Sequence, residues 1–180
     1  MKSHMLIPAV FLSLTSINAL ADGYNCQKIT GQLSLLTPDA ACHILLAKAR
    51  HFPDTTFIAE IAPANTPNIC FSGQLTAKLG NNNKPISGTS YSGLTQNSLG
   101  QLTAASAIQL NSNNIANTSI ALGKIYTKDV VINPLGPTSE ILTMVDGSNT
   151  FNGGHGELEI TGNALFQTVS FTGQICTENE

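Results

Sequence analysis

The sequence contains no tryptophan, and only 11% of its 180 residues are charged. Lys and Arg together number 8 against 11 Asp and Glu, a formal charge of −3 at neutral pH. Without a basic excess there is nothing to neutralise phosphates and release their counterions, which argues against nucleic-acid binding. No Gly-x-Gly-x-x-Gly or Walker sequence occurs, so dinucleotide and phosphate-cradle chemistry lack their usual backbone. The serines sit in no Gly-x-Ser-x-Gly elbow, which disfavours an α/β-hydrolase site. What the chain does have is 42% hydrophobic residues and an uncharged polar surface, with 17 Asn, 19 Thr and 15 Ser. Disorder needs low hydrophobicity and high net charge, and neither is present. The length suits one domain.

Residues 1–21 read as a secretory signal peptide. Lys2 and His4 form a short basic start, Met5 to Leu14 an apolar stretch, and Ala19-Leu20-Ala21 a small-residue cleavage site. Thr15, Ser16 and Asn18 interrupt the run too early for a membrane span. The chain is therefore expected to be exported, to the periplasm or the extracellular space, with no membrane span after cleavage.

Four cysteines, Cys26, Cys42, Cys70 and Cys176, follow the signal. An even count in an oxidising compartment favours two disulfides. Zinc is disfavoured, because no Cys-x-x-Cys pair occurs and His43 merely adjoins Cys42. The segments from Cys70 and from Phe171 share the pattern Phe-(Ser/Thr)-Gly-Gln-(Leu/Ile). If their strands paired antiparallel with Gly73 opposite Gly173, Cys70 would fall opposite Cys176. The expected bonds are Cys70–Cys176 and, by remainder, Cys26–Cys42.

Residues 22–68 mix element types. Residues 29–35 alternate as a half-buried strand does. Thr37 then offers a helix cap, with Pro38 at the first position and Asp39 in the first turn. Ala41, Ile44, Leu45 and Lys48 recur at helical spacing, Pro53 stops the run, and residues 61–67 read as a Pro-containing link. From residue 69 the period becomes two. Strands are predicted at 69–78, 86–95, 101–110, 118–128, 139–145, 155–161 and 166–176, separated by Asn- and Gly-rich turns. With 29–35 they make eight, the count at which a small barrel fills itself with side chains or holds one small ligand. The fold class is all-β with one helix near the N-terminus, a closed antiparallel eight-stranded lipocalin-like barrel. Its body is placed at 69–180. Inward rows are expected at Phe71, Gly73, Leu75 and Ala77, at Leu102, Ala104, Ser106, Ile108 and Leu110, and at Val169, Phe171, Gly173 and Ile175.

Within 143–158, the positions Val145, Gly147, Phe151 and Gly156 fit the pattern Val-Gly-Gly-Thr-Gly-x-Phe-x-x-Ala-x-Gly. Asp146 and Asn149 replace glycines there, both residue types that tolerate positive φ, and Gly154 replaces the alanine. The stretch resembles the glycine-rich hairpin of the allene oxide cyclase and dirigent barrels. The run 123–129 and the end at 171–176 also look like segments of secreted bacterial barrels of that shape. The resemblance implies an eight-stranded barrel, often a homo-oligomer in plant members. It carries no catalytic residue across, because the matching positions are turn and packing residues.

Three residues are candidates to meet a ligand: Tyr91, Tyr126 and Asp129. An inward Asp129 could act as a base or hold a cation, while its bland role is a turn or strand-end hydrogen bond. The tyrosines could offer a phenol or simply pack. His155, Glu157 and Glu159 alternate with Leu158 and Ile160, which fits a solvated outer face better than a metal or acid–base site. Asn117-Thr118-Ser119 fits a glycosylation acceptor but is expected to be unmodified. No metal or cofactor is expected. The leading reading is a secreted, disulfide-stapled barrel that binds a small apolar ligand or a partner surface. One rival is an enzyme of the cyclase or dirigent kind that steers a reactive intermediate. Another is a structural or host- and cell-surface interaction protein. The reading leans away from an enzyme.

Overall fold

The structure, a computed structural model, describes residues 23–34, 37–39, 42–53, 70–96, 101–113, 119–132 and 138–178. The signal-like residues 1–21, the link at 61–67 and Asn117 lie outside the described residues.

The strands are β1 Tyr24–Leu33, β2 Thr37–Asp39, β3 Cys70–Leu79, β4 Lys84–Gln96, β5 Leu102–Asn113, β6 Ser119–Ile132, β7 Ser139–Asn149, β8 His155–Thr161 and β9 Val169–Glu178. From β3 to β9 each pairs antiparallel with the next. β1 slots between β9 and β3, with Ile29 facing Gly173 on one side and Leu79 on the other. That insertion closes the eight-stranded antiparallel barrel that the alternation predicts. Short β2 lies beyond β1 on the same edge of β3.

Two irregularities shape the wall. Leu122 is left unpaired where β6 meets β5, and Val145 where β7 meets β6. A bulge of this kind bends a strand and changes which residues face inward. Leu142 and Met144 point in before the second bulge, and Gly147 after it, whereas Asp146 points out. Asn149 takes φ 55° at the end of β7, so the left-handed position expected there is filled by an asparagine. The sequence differs from the glycine pattern without losing the turn.

The inward rows form one apolar core. Ile29, Leu75, Ile108, Leu142, Leu158, Ile160 and Phe171 are all buried in it. Each such side chain contributes about 1.5–3 kcal/mol when fully withdrawn from water. A second, smaller core lies outside the barrel. Cys42, Leu45 and Phe52 pack there on Ala105, Ala107 and Tyr126, so residues 42–53 form a strap across the outer wall. The alanines of β5 leave room for it.

Two sequence expectations are corrected. Thr37 does not cap a helix, because Thr37–Asp39 pairs with Cys70–Ser72 and the Thr37 hydroxyl donates to the Ser72 carbonyl at 3.2 Å. The helix α1 is only His43–Leu46, followed by a 3-10 turn at Ala49–His51. Sheet pairing satisfies backbone groups that the isolated capping signal would have left to a helix.

The disulfides are Cys26–Cys176 and Cys42–Cys70, not the expected Cys70–Cys176 and Cys26–Cys42. With β1 between them, β3 and β9 are not neighbours, and Gly73 never meets Gly173. Cys26 lies directly opposite Cys176 on β1 and β9. Cys70 points out of the barrel, where Cys42 of the strap reaches it, and no free cysteine remains.

Candidate functional site

The barrel is filled at one end and hollow at the other. Leu79, Ile86, Met144 and Phe151 pack the filled end near the β3–β4 and β7–β8 turns. The other end holds a cavity of about 260 Å³. Its wall is mostly aliphatic, with Leu33, Leu75, Leu94, Leu102, Ile108 and Leu158 among the lining residues. The mouth is bordered by the turn between β8 and β9, where Asn163 Oδ1 accepts the Leu165 amide hydrogen at 3.1 Å. Phe166 of that turn lines the opening yet is 80% exposed.

Polar groups converge on one side. Ser90, Ser92 and Ser106 line the cavity. Their hydroxyls form a chain, Ser90 to Ser92 at 3.2 Å and Ser92 to Ser106 at 2.8 Å. Ser106 ends it by donating to Asp129 Oδ2 at 2.6 Å. Asp129 sits just behind the lining, 2% exposed, on the inward row of β6 that carries Ile125, Thr127 and Val131. Its other oxygen, Oδ1, is buried without a hydrogen-bond partner, as is the Thr127 hydroxyl.

A second acid reaches the same place. Glu140 is half-buried and lines the cavity. It pairs with Val131, while Asp129 pairs with Leu142, so the two acids are diagonal neighbours on the inner face. Diagonal positions lie roughly 7–8 Å apart at the backbone, within reach of a glutamate side chain. Burial strips water from both carboxyls and so favours their neutral forms. Desolvation pushes Asp129 up to about 6, against the hydroxyls of Ser106 and Thr127, which favour the charged form. Glu140 is pushed up to about 8, by desolvation first and by the charge of Asp129 second. Near neutral pH the pair therefore keeps a proton. Such a pair can donate a hydrogen bond, accept one, or take up a positive charge.

Of the three sequence candidates, only Asp129 faces the interior, in mid-strand rather than in a turn. Tyr91 alternates with Ser90 and Ser92, both in the cavity wall, and so points outward. Tyr126 also points outward and is buried under the strap. His51 stacks on its ring at 4.1 Å between centroids, and Phe52 meets it edge-on at 5.8 Å. His51 Nδ1 also lies 2.7 Å from Asp146 Oδ2, a latch between strap and β7. Desolvation, with the nearby Asp146 charge, raises the Tyr126 phenol above its ordinary range. It is a packing residue. His155, Glu157 and Glu159 lie on the outer face, with Leu158 and Ile160 turned inward. Among the described residues no group of three or more His, Cys, Asp or Glu could hold a metal ion.

Sequence reasoning missed Glu140. The signal was present, since Glu140, Leu142 and Met144 share one strand face and an acid on an apolar row is conspicuous. Ser106 stood on a predicted inward row, but its tie to Asp129 depends on β5 lying beside β6.

The chain matches no family model, no curated protein and no solved structure.

Proposed function

We propose that this chain is an exported barrel that takes up one small, largely apolar ligand through its hollow end. The single observation that carries the reading is the cavity, about 260 Å³ walled by aliphatic side chains and open at one end. Ligand pockets begin at roughly 300 Å³, so the occupant is small. A barrel with a purely structural role gains nothing from leaving this volume unfilled, since each lining group forfeits packing. Export is supported by the signal-like residues 1–21 and by the use of all four cysteines in disulfides, which persist in oxidising compartments.

Binding is tested with an environment-sensitive apolar dye and with native mass spectrometry of the exported protein. Uptake of about one dye per chain is expected. Ala104, 1% exposed in the cavity wall, supplies the control. Ala104→Leu occupies part of the hollow and should abolish uptake while the far-ultraviolet β signal persists. Undiminished uptake by that variant would remove the cavity from the proposal.

A second reading is favoured by one observation, the convergence of Ser106, Asp129 and Glu140 beside the hollow. In it the barrel steers a reactive intermediate, as the resemblance to cyclase and dirigent barrels suggests. Asp129→Asn and Glu140→Gln should then abolish turnover of such a substrate without abolishing its binding.

A further inference from the structure

We infer that the ligand is a protonated amine on an apolar body, its ammonium group seated between Asp129 and Glu140. This rests on the proposal that the cavity binds a ligand, and it adds the chemical class. Four observations point there together. The hollow accepts hydrocarbon, and two acids lie together on one side of it, Glu140 in the lining and Asp129 just behind. The ion pair seen among the described residues, His51 with Asp146, lies on the outer wall and involves neither acid. Independently of the acids' charge, Asp129 Oδ1 and Thr127 Oγ1 are buried without a well-formed hydrogen bond, the nearby Thr127 hydroxyl only favouring the charged Asp129 carboxyl from where it sits.

A buried acceptor left unpaired costs roughly 1–3 kcal/mol, so its partner is worth identifying. An ammonium group has three donors and no acceptor. It can meet Asp129 Oδ1, the Glu140 carboxyl and the Thr127 hydroxyl together. A ligand alcohol can donate to one of these and accept from the others, but it brings no positive charge to offset a second carboxylate. A ligand carboxylate has none and is repelled. The groups facing the acids agree. On β5 these are Ala104 and Ser106, on β6 Thr127 and Val131, on β7 Leu142, and on β8 Ile160. None of them titrates. Lys128 of β6 and Glu159 of β8 belong to the outer face.

The proton balance is explicit. Both carboxyls are pushed up by burial, so near pH 7 the empty pair shares a proton. An incoming ammonium keeps its own protons and stabilises the carboxylates, so the shared proton leaves to solvent. Binding of the amine therefore releases up to one proton, and binding of a neutral ligand releases none.

The test uses three probes of one chain length, octylamine, octanol and octanoate, by calorimetry at pH 7 in two buffers of different ionisation heat. Octylamine should bind at least about tenfold tighter than octanol, as charge-assisted hydrogen bonds exceed neutral ones. Octanoate should bind weakest, and proton release should accompany octylamine alone. Glu140→Gln should weaken octylamine about tenfold and abolish the proton release, with a much smaller effect on octanol. The thermal midpoint of the variant reports its folding, and Asp129→Asn gives a second, independent substitution. Octanol binding as tightly as octylamine would overturn the amine assignment and leave the apolar-ligand reading standing. If none of the three binds, both fail.

Discussion

Asp129 of β6 and Glu140 of β7 are diagonal neighbours on the inner wall of the barrel, each opposite an aliphatic residue of the other's strand, Leu142 and Val131. Two acids held this way make folding depend on pH in an unusual direction. Their ordinary values are 3.8 and 4.5, and in the folded chain they stand at about 6 and about 8. Between those limits the folded state binds more protons than the unfolded one, so their contribution to stability falls as pH rises. It is fully present below about pH 4 and is lost through pH 6 to 8. The urea midpoint of the ligand-free protein should drop between pH 5.5 and 8.5. Glu140→Gln should be more stable than the parent at pH 8.5 by roughly 1–3 kcal/mol, and the gap should close at pH 5.5. An equal gap at both values would contradict the placement of Glu140 in the cavity wall beside Asp129.

Non-reducing peptide mapping should recover Cys26–Cys176 and Cys42–Cys70 as the linked pairs. The first closes a span of 150 residues and the second one of 28. Loop-closure entropy alone makes them worth about 5 and about 3–4 kcal/mol. Replacing Cys26 and Cys176 by alanine should therefore cost more in a denaturation curve than replacing Cys42 and Cys70. The reverse order would mean that strap packing, not chain closure, dominates.

Gly173 faces Ile29 on one side and Leu158 on the other. A Cβ added there would overlap the Glu157 carbonyl oxygen and press on the Leu158 backbone. Both obstacles belong to the neighbouring strand and cannot swing aside. Gly173→Ala should destabilise the barrel by roughly 1–3 kcal/mol in urea denaturation.

The latch between His51 and Asp146 holds the strap at its far end. His51→Ala removes the 2.7 Å contact and the ring stacked on Tyr126. Hydrogen exchange at 42–53 should accelerate, while the β5 and β6 amides keep their protection. Loss of protection across the whole barrel would show instead that the strap is integral to closure.

Much of this wall was legible in the sequence because a strand's period is local. Leu102, Ala104, Ser106, Ile108 and Leu110 alternate, and all five line the cavity. Neighbourhood is not local. The shared motif around Gly73 and Gly173 suggested two strands in contact, yet both flank β1, which took the position between them. The geometric rule that opposed cysteines can bridge was sound, and it applied to Cys26 and Cys176. Thr37-Pro38-Asp39 carried a helix-start signal that three cross-strand pairs outweighed. Tyr126 reads as a ligand candidate in the sequence, whereas the fold turns it outward and covers it with the strap. The acid pair was half visible, since Asp129 could be named alone. Its partner is brought close only because β6 and β7 adjoin, and no linear pattern states that adjacency.

The seating of β1 between β3 and β9 also dictates an order of assembly. Until β9 has been delivered, β1 can pair along only one of its edges, and the cylinder stays split lengthwise at that seam. The cystine joining Cys26 to Cys176 stitches the same seam, so oxidation there can only follow arrival of the last strand. A chain halted before that point would hold a hydrophobic trough open to its surroundings, with neither a sealed interior nor a place for a guest.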